Sequence, residues 1–372
     1  MSPANDIPDQ MQAVQVVEYK QPYQINTVPV PRPESLAPHE LLVKVAVASY
    51  CHTDSMVRNG VFGTALPCTA SHEGSGTVVA SGPAAAAGHI GVGDRVMVGL
   101  PRSPCGECDD CAGPEESWRQ YCTHLTRGHV GVHIDGCMAQ YVVADARHTT
   151  PLPAAVSMLD AAPLACAGRT VWRGVEQAGL RAGETLAIVG SGGGLGHLGI
   201  AFAKKKGLRV VGIDARDEGL AVSHECGADL VVDARKGKEA AVKEVQEATD
   251  GRGADATLVL SEADTAAALG CAVTKMHGLL VQIAQPAEVK IPFQELIFRD
   301  IRVRGSVLAS PAESQRMVDF VAEHGIRTTK KVFRGLNRIH DLIYEVQGGK
   351  VKGKVIIVVD QAQIDKEKNL KG

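Results

Sequence analysis

Positive charge in excess is missing from this chain: 39 Lys and Arg stand against 42 Asp and Glu, a formal net charge of -3. Such a balance provides no basic surface for nucleic acid or anionic lipid, so a small molecule is the expected partner. Aromatic residues are scarce as well, at 4%. The segment Met1 to Gln12 contains Pro3, Asp6, Pro8 and Asp9 and lacks an apolar core, so it does not read as a secretory leader. Leu186 to Ala203 is uncharged, but its six glycines, serine and histidine argue against a membrane-spanning helix. Internal repeats and low-complexity tracts are absent, and 45% hydrophobic with 22% charged residues excludes a disordered or fibrous class. A cytoplasmic location is expected, where ten cysteines serve as reduced thiols or metal ligands rather than disulfides.

What the chain does have is glycine, 40 of 372 residues against a usual share of about 7%, which implies many tight turns and close backbone approaches. The length suits two domains. From Ala13 to about Ala144 the sequence reads as short β runs broken by Gly and Pro: Leu41 to Ala48, Gly76 to Ala80, Asp94 to Val98 and Tyr141 to Ala144. After Pro151 and Pro153 strands alternate with helices. Strands are expected at Leu186 to Val189, Arg209 to Ile213, Leu230 to Val232, Ala256 to Leu260, Gly278 to Ile283 and Ile301 to Gly305. Six strands joined by helical crossovers predict an α/β fold with a doubly wound parallel sheet. The tail adds a helix, Pro311 to His324, and a β run, Lys354 to Val359.

Leu186-Ala-Ile-Val-Gly190-Ser-Gly192-Gly193-Gly194-Leu195-Gly196 is a strand running into a glycine turn and then a helix. Glycines there let the backbone approach a pyrophosphate, and the helix start supplies unpaired N–H donors. The spacing is G-x-x-G-x-x-G rather than the strict dinucleotide fingerprint, and a plain tight loop is the competing reading. The next strand ends in Asp214, placed to accept hydrogen bonds from an adenosine ribose diol. Strand, turn, helix, strand and acid in that order favour NAD binding.

Cys105, Cys108, Cys111 and Cys122 form C-x2-C-x2-C-x10-C in a Gly- and Pro-containing loop. Thiolates so close repel one another unless a soft cation neutralises them, and four suit a closed, structural zinc site. The alternative is four unrelated loop thiols. A second, dispersed grouping comprises Cys51-His52-Thr53-Asp54, His72-Glu73-Gly74 and Cys166-Ala167-Gly168. Two thiolates and an imidazole would leave a fourth zinc position open for water or substrate, as catalysis requires. Spacing alone supports this grouping weakly, since a lone His or Cys is more often a packed or surface residue.

Together these segments, with Asp135-Gly-Cys-Met-Ala-Gln-Tyr141, make the chain resemble the zinc-dependent medium-chain alcohol dehydrogenases, especially the yeast-like and bacterial NAD-linked branch. The resemblance covers nearly the whole chain. It implies a GroES-like, β-rich catalytic domain built from residues 1–157 and 307–372, with a Rossmann domain, residues 158–306, inserted between them. It implies a catalytic zinc on Cys51, His72 and Cys166, with Glu73 as a transient ligand, and a structural zinc on the four loop cysteines. Asp54 would orient the His72 ring, and Thr53 would hydrogen-bond the substrate oxygen and begin a proton relay. His52 and Lys354 fall where the family places donors to the cofactor phosphates. A homo-oligomer, dimer or tetramer, is also expected.

Some positions depart from the family pattern. The last cysteine interval, ten residues, is three longer than usual. Asn59 stands where many relatives carry a relay histidine, and an amide cannot titrate near neutral pH. Phe62 and Leu100 stand where enzymes for small alcohols tend to carry tryptophan, which implies a roomier substrate pocket. The expected reaction is reversible hydride transfer between NAD and a primary or secondary alcohol larger than ethanol. A quinone or enone reductase on the same fold usually lacks both zinc sets, so the cysteines argue against it. A non-catalytic NAD- or zinc-binding relative would be favoured by a replaced ligand, and none is replaced.

Overall fold

The structure, a computed structural model, describes residues 7–369. The first part of the N-terminal segment inspected for a leader, residues 1–6, lies outside the described residues. The chain forms two compact units: one takes both chain ends, up to Cys166 and from Ala309, and the other runs from Ala167 to Leu308. The divisions therefore fall after residues 166 and 308, where the sequence reading placed them after 157 and 306.

The unit built from the chain ends is organised on a seven-stranded sheet. Its central strand, Glu40–Tyr50, is buried at nearly every position, as befits its run of Leu, Val and Ala. Glu73–Ser81 and Tyr141–Asp145 pair with it antiparallel, as does Lys354–Val358 from the far end of the chain. Two register pairs matter for function: Ser49 lies opposite Glu73, and Tyr50 lies opposite Val355. They bring the end of the central strand, the start of the second and the start of the third to one edge. Val14, Leu41, Val43, Met138, Ile339 and Ile357 belong to the apolar core beneath. The C-terminal return begins with the helix Pro311–His324, whose ends are legible in sequence. Ser310 and Glu313 form a capping box, Pro311 occupies the first turn, and Gly325 closes the helix in the left-handed conformation.

The second unit contains a six-stranded sheet in which every neighbouring pair is parallel. Its spatial order is Leu230–Asp233, Arg209–Asp214, Thr185–Val189, Ala254–Val259, Thr274–Gln282, Arg302–Gly305. The order reverses beside Thr185–Val189, the doubly wound arrangement that leaves a crevice at the carboxyl ends of the strands. The uncharged run from Leu186 to Ala203 is divided between this strand, the glycine turn and the helix Gly196–Lys205. Among the described residues, no helix is long and apolar enough to cross a membrane.

Candidate active site, metal centres and nucleotide cradle

Cys51 is the N-cap of the short helix His52–Arg58. Its amide donates to Asp54 Oδ2 at 2.7 Å, which closes a capping box and turns the Asp54 carboxylate inward. The other oxygen, Oδ1, lies 3.3 Å from His72 Nδ1, and both side chains are buried. One helix start thus positions a thiol and orients an imidazole. His72 Nε2 is buried without a hydrogen-bond partner, the arrangement expected of a nitrogen aimed at a metal.

Cys166 comes from a single π-helical turn, Leu164–Gly168, between two α-helices; such turns are often found at functional sites. The donor atoms of Cys51, His72, Glu73 and Cys166 all lie within 4.8 Å of one another, so the set could hold a metal ion. The Cys166 thiol hydrogen-bonds Cys51, which holds Cys51 well below the usual thiol range, helped by the charges of Lys354 and His72. The same bond, with burial, pushes Cys166 up. Burial opposes charge on His72, but Asp54 and then Cys51 outweigh it and raise the ring well above an ordinary histidine. Lys354 Nζ is 2.6 Å from Glu73 Oε2. Burial raises the Glu73 carboxyl against the pull of Lys354. The ammonium expected near the cofactor phosphates is therefore engaged by Glu73.

The second thiol set is local. Cys122 and Cys111 place their sulfurs 3.8 Å and 3.9 Å from Cys105 Sγ, and all four sulfurs fall within 4.8 Å of one another. Zinc–thiolate bonds of about 2.3 Å in a tetrahedron separate sulfurs by about 3.8 Å, so the loop fits that ion. Backbone N–H groups of Glu107 and Cys108 hold the Cys105 thiol down to about 6. The long interval between Cys111 and Cys122 is taken up by a 3-10 helix, Glu116–Tyr121. From it Arg119 reaches back to the carbonyls of Asp110 and Gly113, at 2.8 Å and 2.7 Å. Cys68, Cys137 and Cys271 are buried thiols outside both sets.

In the second unit the strand Thr185–Val189 leads into Gly190 at φ +87, a conformation glycine adopts without strain. A Cβ on Gly192 would lie 2.1 Å from the Gly219 carbonyl oxygen, so turn and neighbouring helix approach at a distance only hydrogen allows. Gly193, Gly194 and Leu195 complete the turn, and Gly196 opens the helix Gly196–Lys205. Asp214 ends the adjacent strand, with its carboxylate accepting from the amides of Gly192, Ala215 and Arg216 at 3.0, 2.9 and 3.1 Å. This cradle of bare backbone beside a fixed acid fits a dinucleotide. Sequence reasoning missed Gly219, whose Cβ would fall 2.3 Å from Asp214 Cγ. A glycine near the start of the helix Asp217–Glu225 was the available signal.

The remaining expected residues belong to the first unit. His52 is exposed and Thr53 half-buried at the start of their helix, and Asn59 caps its other end. Phe62 packs on the core edge, and Leu100 is buried.

The chain matches two protein families, the alcohol dehydrogenase GroES-like domain over residues 37–154 and the zinc-binding dehydrogenase over residues 194–323. Alcohol dehydrogenase 1 of Emericella nidulans is 33% identical over 355 residues, covering 93% of this chain and 97% of that protein. The crystal structure of the alcohol dehydrogenase from Aeropyrum pernix superposes with a TM-score of 0.82 at 27% identity, covering 93% and 99% of the two chains. That of a zinc-binding dehydrogenase from Sinorhizobium meliloti 1021 bound to NADP does so with 0.78 at 26% identity, over 94% and 100%. With both families matched in order and the alignment running nearly end to end, the chain belongs to the zinc-dependent medium-chain alcohol dehydrogenase family.

Proposed function

We propose that this protein interconverts an alcohol larger than ethanol, primary or secondary, with its aldehyde or ketone, using NAD and two zinc ions per chain. The observation that carries the reading is the convergence of Cys51, His72 and Cys166 beside Glu73, with the His72 ring held by Asp54 and its Nε2 unpartnered. Cys51, His72 and Cys166 would hold the catalytic ion, Glu73 would ligate it transiently, and Cys105, Cys108, Cys111 and Cys122 would hold the structural one. A bound zinc supplies Lewis acidity that lowers the pKa of a coordinated hydroxyl. Bound NAD would supply the hydride acceptor, and NADH the donor in the reverse direction.

The chain's own groups do the rest. Asp54 fixes the His72 tautomer and raises the basicity of the ligating nitrogen. Thr53, one residue before Asp54, has a hydroxyl that both donates and accepts, so it can bond the substrate oxygen and pass its proton outward. Asn59 cannot continue that relay, and the proton leaves through water or the cofactor ribose. The Gly190–Gly196 turn would receive the pyrophosphate, and the Asp214 carboxylate would take the adenosine ribose. That carboxylate would repel a 2'-phosphate, which supports NAD over NADP. Phe62 and Leu100, smaller than indoles, leave pocket volume for a larger substrate, which gains roughly 25 cal/mol per Å² of apolar surface buried.

We further propose a cytoplasmic homo-oligomer: the edge strand Arg302–Gly305 is exposed along its length, and Phe293, Ile297 and Phe298 are exposed nearby in sequence. The test of function is a homologous series of primary alcohols plus a cyclic or aromatic one, with the matching aldehydes, assayed with NAD(H) and NADP(H) on protein of measured zinc content. Turnover rising beyond ethanol with NAD is expected. No turnover by zinc-replete protein would overturn the activity, and efficiency peaking at ethanol would overturn the enlarged pocket.

A further inference from the structure

His129 and His133 belong to neither cysteine set, and the Nδ1 atoms of their rings are 3.3 Å apart. The rings are tilted at 44° with centroids separated by 5.3 Å. They are brought together by a tight turn in which the His129 carbonyl accepts from the amides of Val132, His133 and Ile134 at 3.1, 2.9 and 3.4 Å. A single helical turn of this kind sets residues i and i+4 on one side.

The turn is held from several directions. Gly128 has φ +94, and a Cβ there would lie 2.8 Å from His133 Cβ, so only glycine leaves room for the second ring. Gly131, at φ +69, presses on the backbone of Ser71 and His72, where a Cβ would come within 2.3 Å of Ser71. The Val130 amide donates to the Leu100 carbonyl at 2.9 Å, and Gly131 donates to Ile134 at 2.8 Å. Phe62 supports the outer ring edge-on, with a centroid distance of 6.5 Å to His133.

Two imidazole nitrogens on one zinc ion, each bonded at about 2.0 to 2.1 Å, lie about 3.3 Å apart when the angle between the bonds is near tetrahedral. The 3.3 Å separation of the two Nδ1 atoms matches that distance. The His129 amide donates to His133 Nδ1 at 3.2 Å, a bond that an ion on this nitrogen would replace. Burial, then the charges of His133 and His72, push His129 down to about 4, so its ring is neutral at physiological pH.

We propose that His129 and His133 form a further metal site, a two-histidine chelate for a divalent ion of the imidazole-preferring class such as Zn2+ or Ni2+, with water completing the coordination. Binding requires the Nδ1 lone pair of each ring to face the ion, with the ring protons on Nε2. The site does not depend on the proposed activity, and it is partly exposed to solution.

The experiment is equilibrium dialysis of the intact protein, its resident metal content first measured, against increasing free Zn2+ and, separately, Ni2+. Wild type is expected to take up one saturable equivalent beyond its resident metal. His129→Gln and His133→Gln are each expected to weaken that uptake at least about tenfold while keeping resident metal and thermal midpoint. Absence of a saturable extra equivalent in wild type, or its persistence in both variants, overturns the proposal. Diethyl pyrocarbonate modification of wild type, mapped by mass spectrometry, decides the matter independently of variant folding. Added Zn2+ should protect both histidines, and unchanged modification of either one refutes the site.

Discussion

Lys354 Nζ and Glu73 Oε2 face one another at 2.6 Å with the two side chains 4% and 0% exposed. The pair is set by sheet register, since Lys354 precedes Val355, which lies opposite Tyr50, and Glu73 lies opposite Ser49. Removing one member of a buried ion pair strands the other in low dielectric, a cost of about 3–5 kcal/mol. Lys354→Met should therefore lose about that much stability in urea unfolding, and adding Glu73→Gln should restore most of it. A double variant as unstable as the single one would show that the lysine matters for packing and not for charge.

Asp54 joins the Cys51 amide to the His72 ring. Asn at this position keeps an acceptor for the amide but removes the charge that raises His72. Asp54→Asn is expected to lower kcat/KM at least about tenfold, the scale for losing a carboxylate behind a metal ligand, with metal content unchanged. Wild-type kinetics in this variant would assign Asp54 to helix capping alone.

The two thiol sets should separate experimentally. Cys105→Ser removes the sulfur that both Cys111 and Cys122 approach, so zinc content and resistance to unfolding should fall together. Cys51→Ser should abolish turnover while the protein stays folded and retains the loop zinc. Metal analysis giving fewer than two zinc ions per chain in active wild-type protein would contradict this division.

Three backbone amides hold Asp214 in place, leaving its negative charge beside the glycine turn. Wild type should use NAD more efficiently than NADP, and Asp214→Ser should narrow the ratio at least about tenfold, equivalent to about 1.4 kcal/mol. Arg216, whose Nε is 3.4 Å from Asp214 Oδ1, is then released to meet a 2'-phosphate. Steady-state kinetics with both cofactors measure this, and an unaltered ratio in the variant would remove Asp214 from cofactor selection.

Stability should depend on acid through Asp160, which accepts from Lys330 Nζ at 2.6 Å and the Thr328 amide at 2.9 Å. Burial works against the charge, but Lys330 and these bonds hold the carboxyl below its ordinary value. A carboxyl whose folded value is depressed contributes fully above its unfolded value, about 3.9, and loses that contribution as pH falls through the folded value. Asp160→Asn should be less stable than wild type at pH 7, and the gap should shrink progressively below about pH 4. Urea midpoints at neutral and acid pH measure it; a gap that stays constant would show that the charge is not what stabilises.

Local chemistry made much of this legible in sequence. The parallel strands and their crossovers follow from short apolar runs alternating with helical stretches, and the helix at Pro311 is bounded by Ser310, Glu313 and Gly325. The loop cysteines lie close enough along the chain for spacing alone to suggest their meeting. Cys51, His72, Cys166 and Lys354 are different, because no short-range preference brings residues so far apart together. Their meeting depends on the pairing of Glu40–Tyr50 with strands from two distant parts of the chain, and on a π-helical turn at Leu164–Gly168 that spacing does not reveal. The partner of a buried charge is likewise a tertiary matter. The resemblance puts Lys354 among the donors to the cofactor phosphates; that burial pairs it with a carboxylate, and that register makes this Glu73, is decided by the tertiary structure.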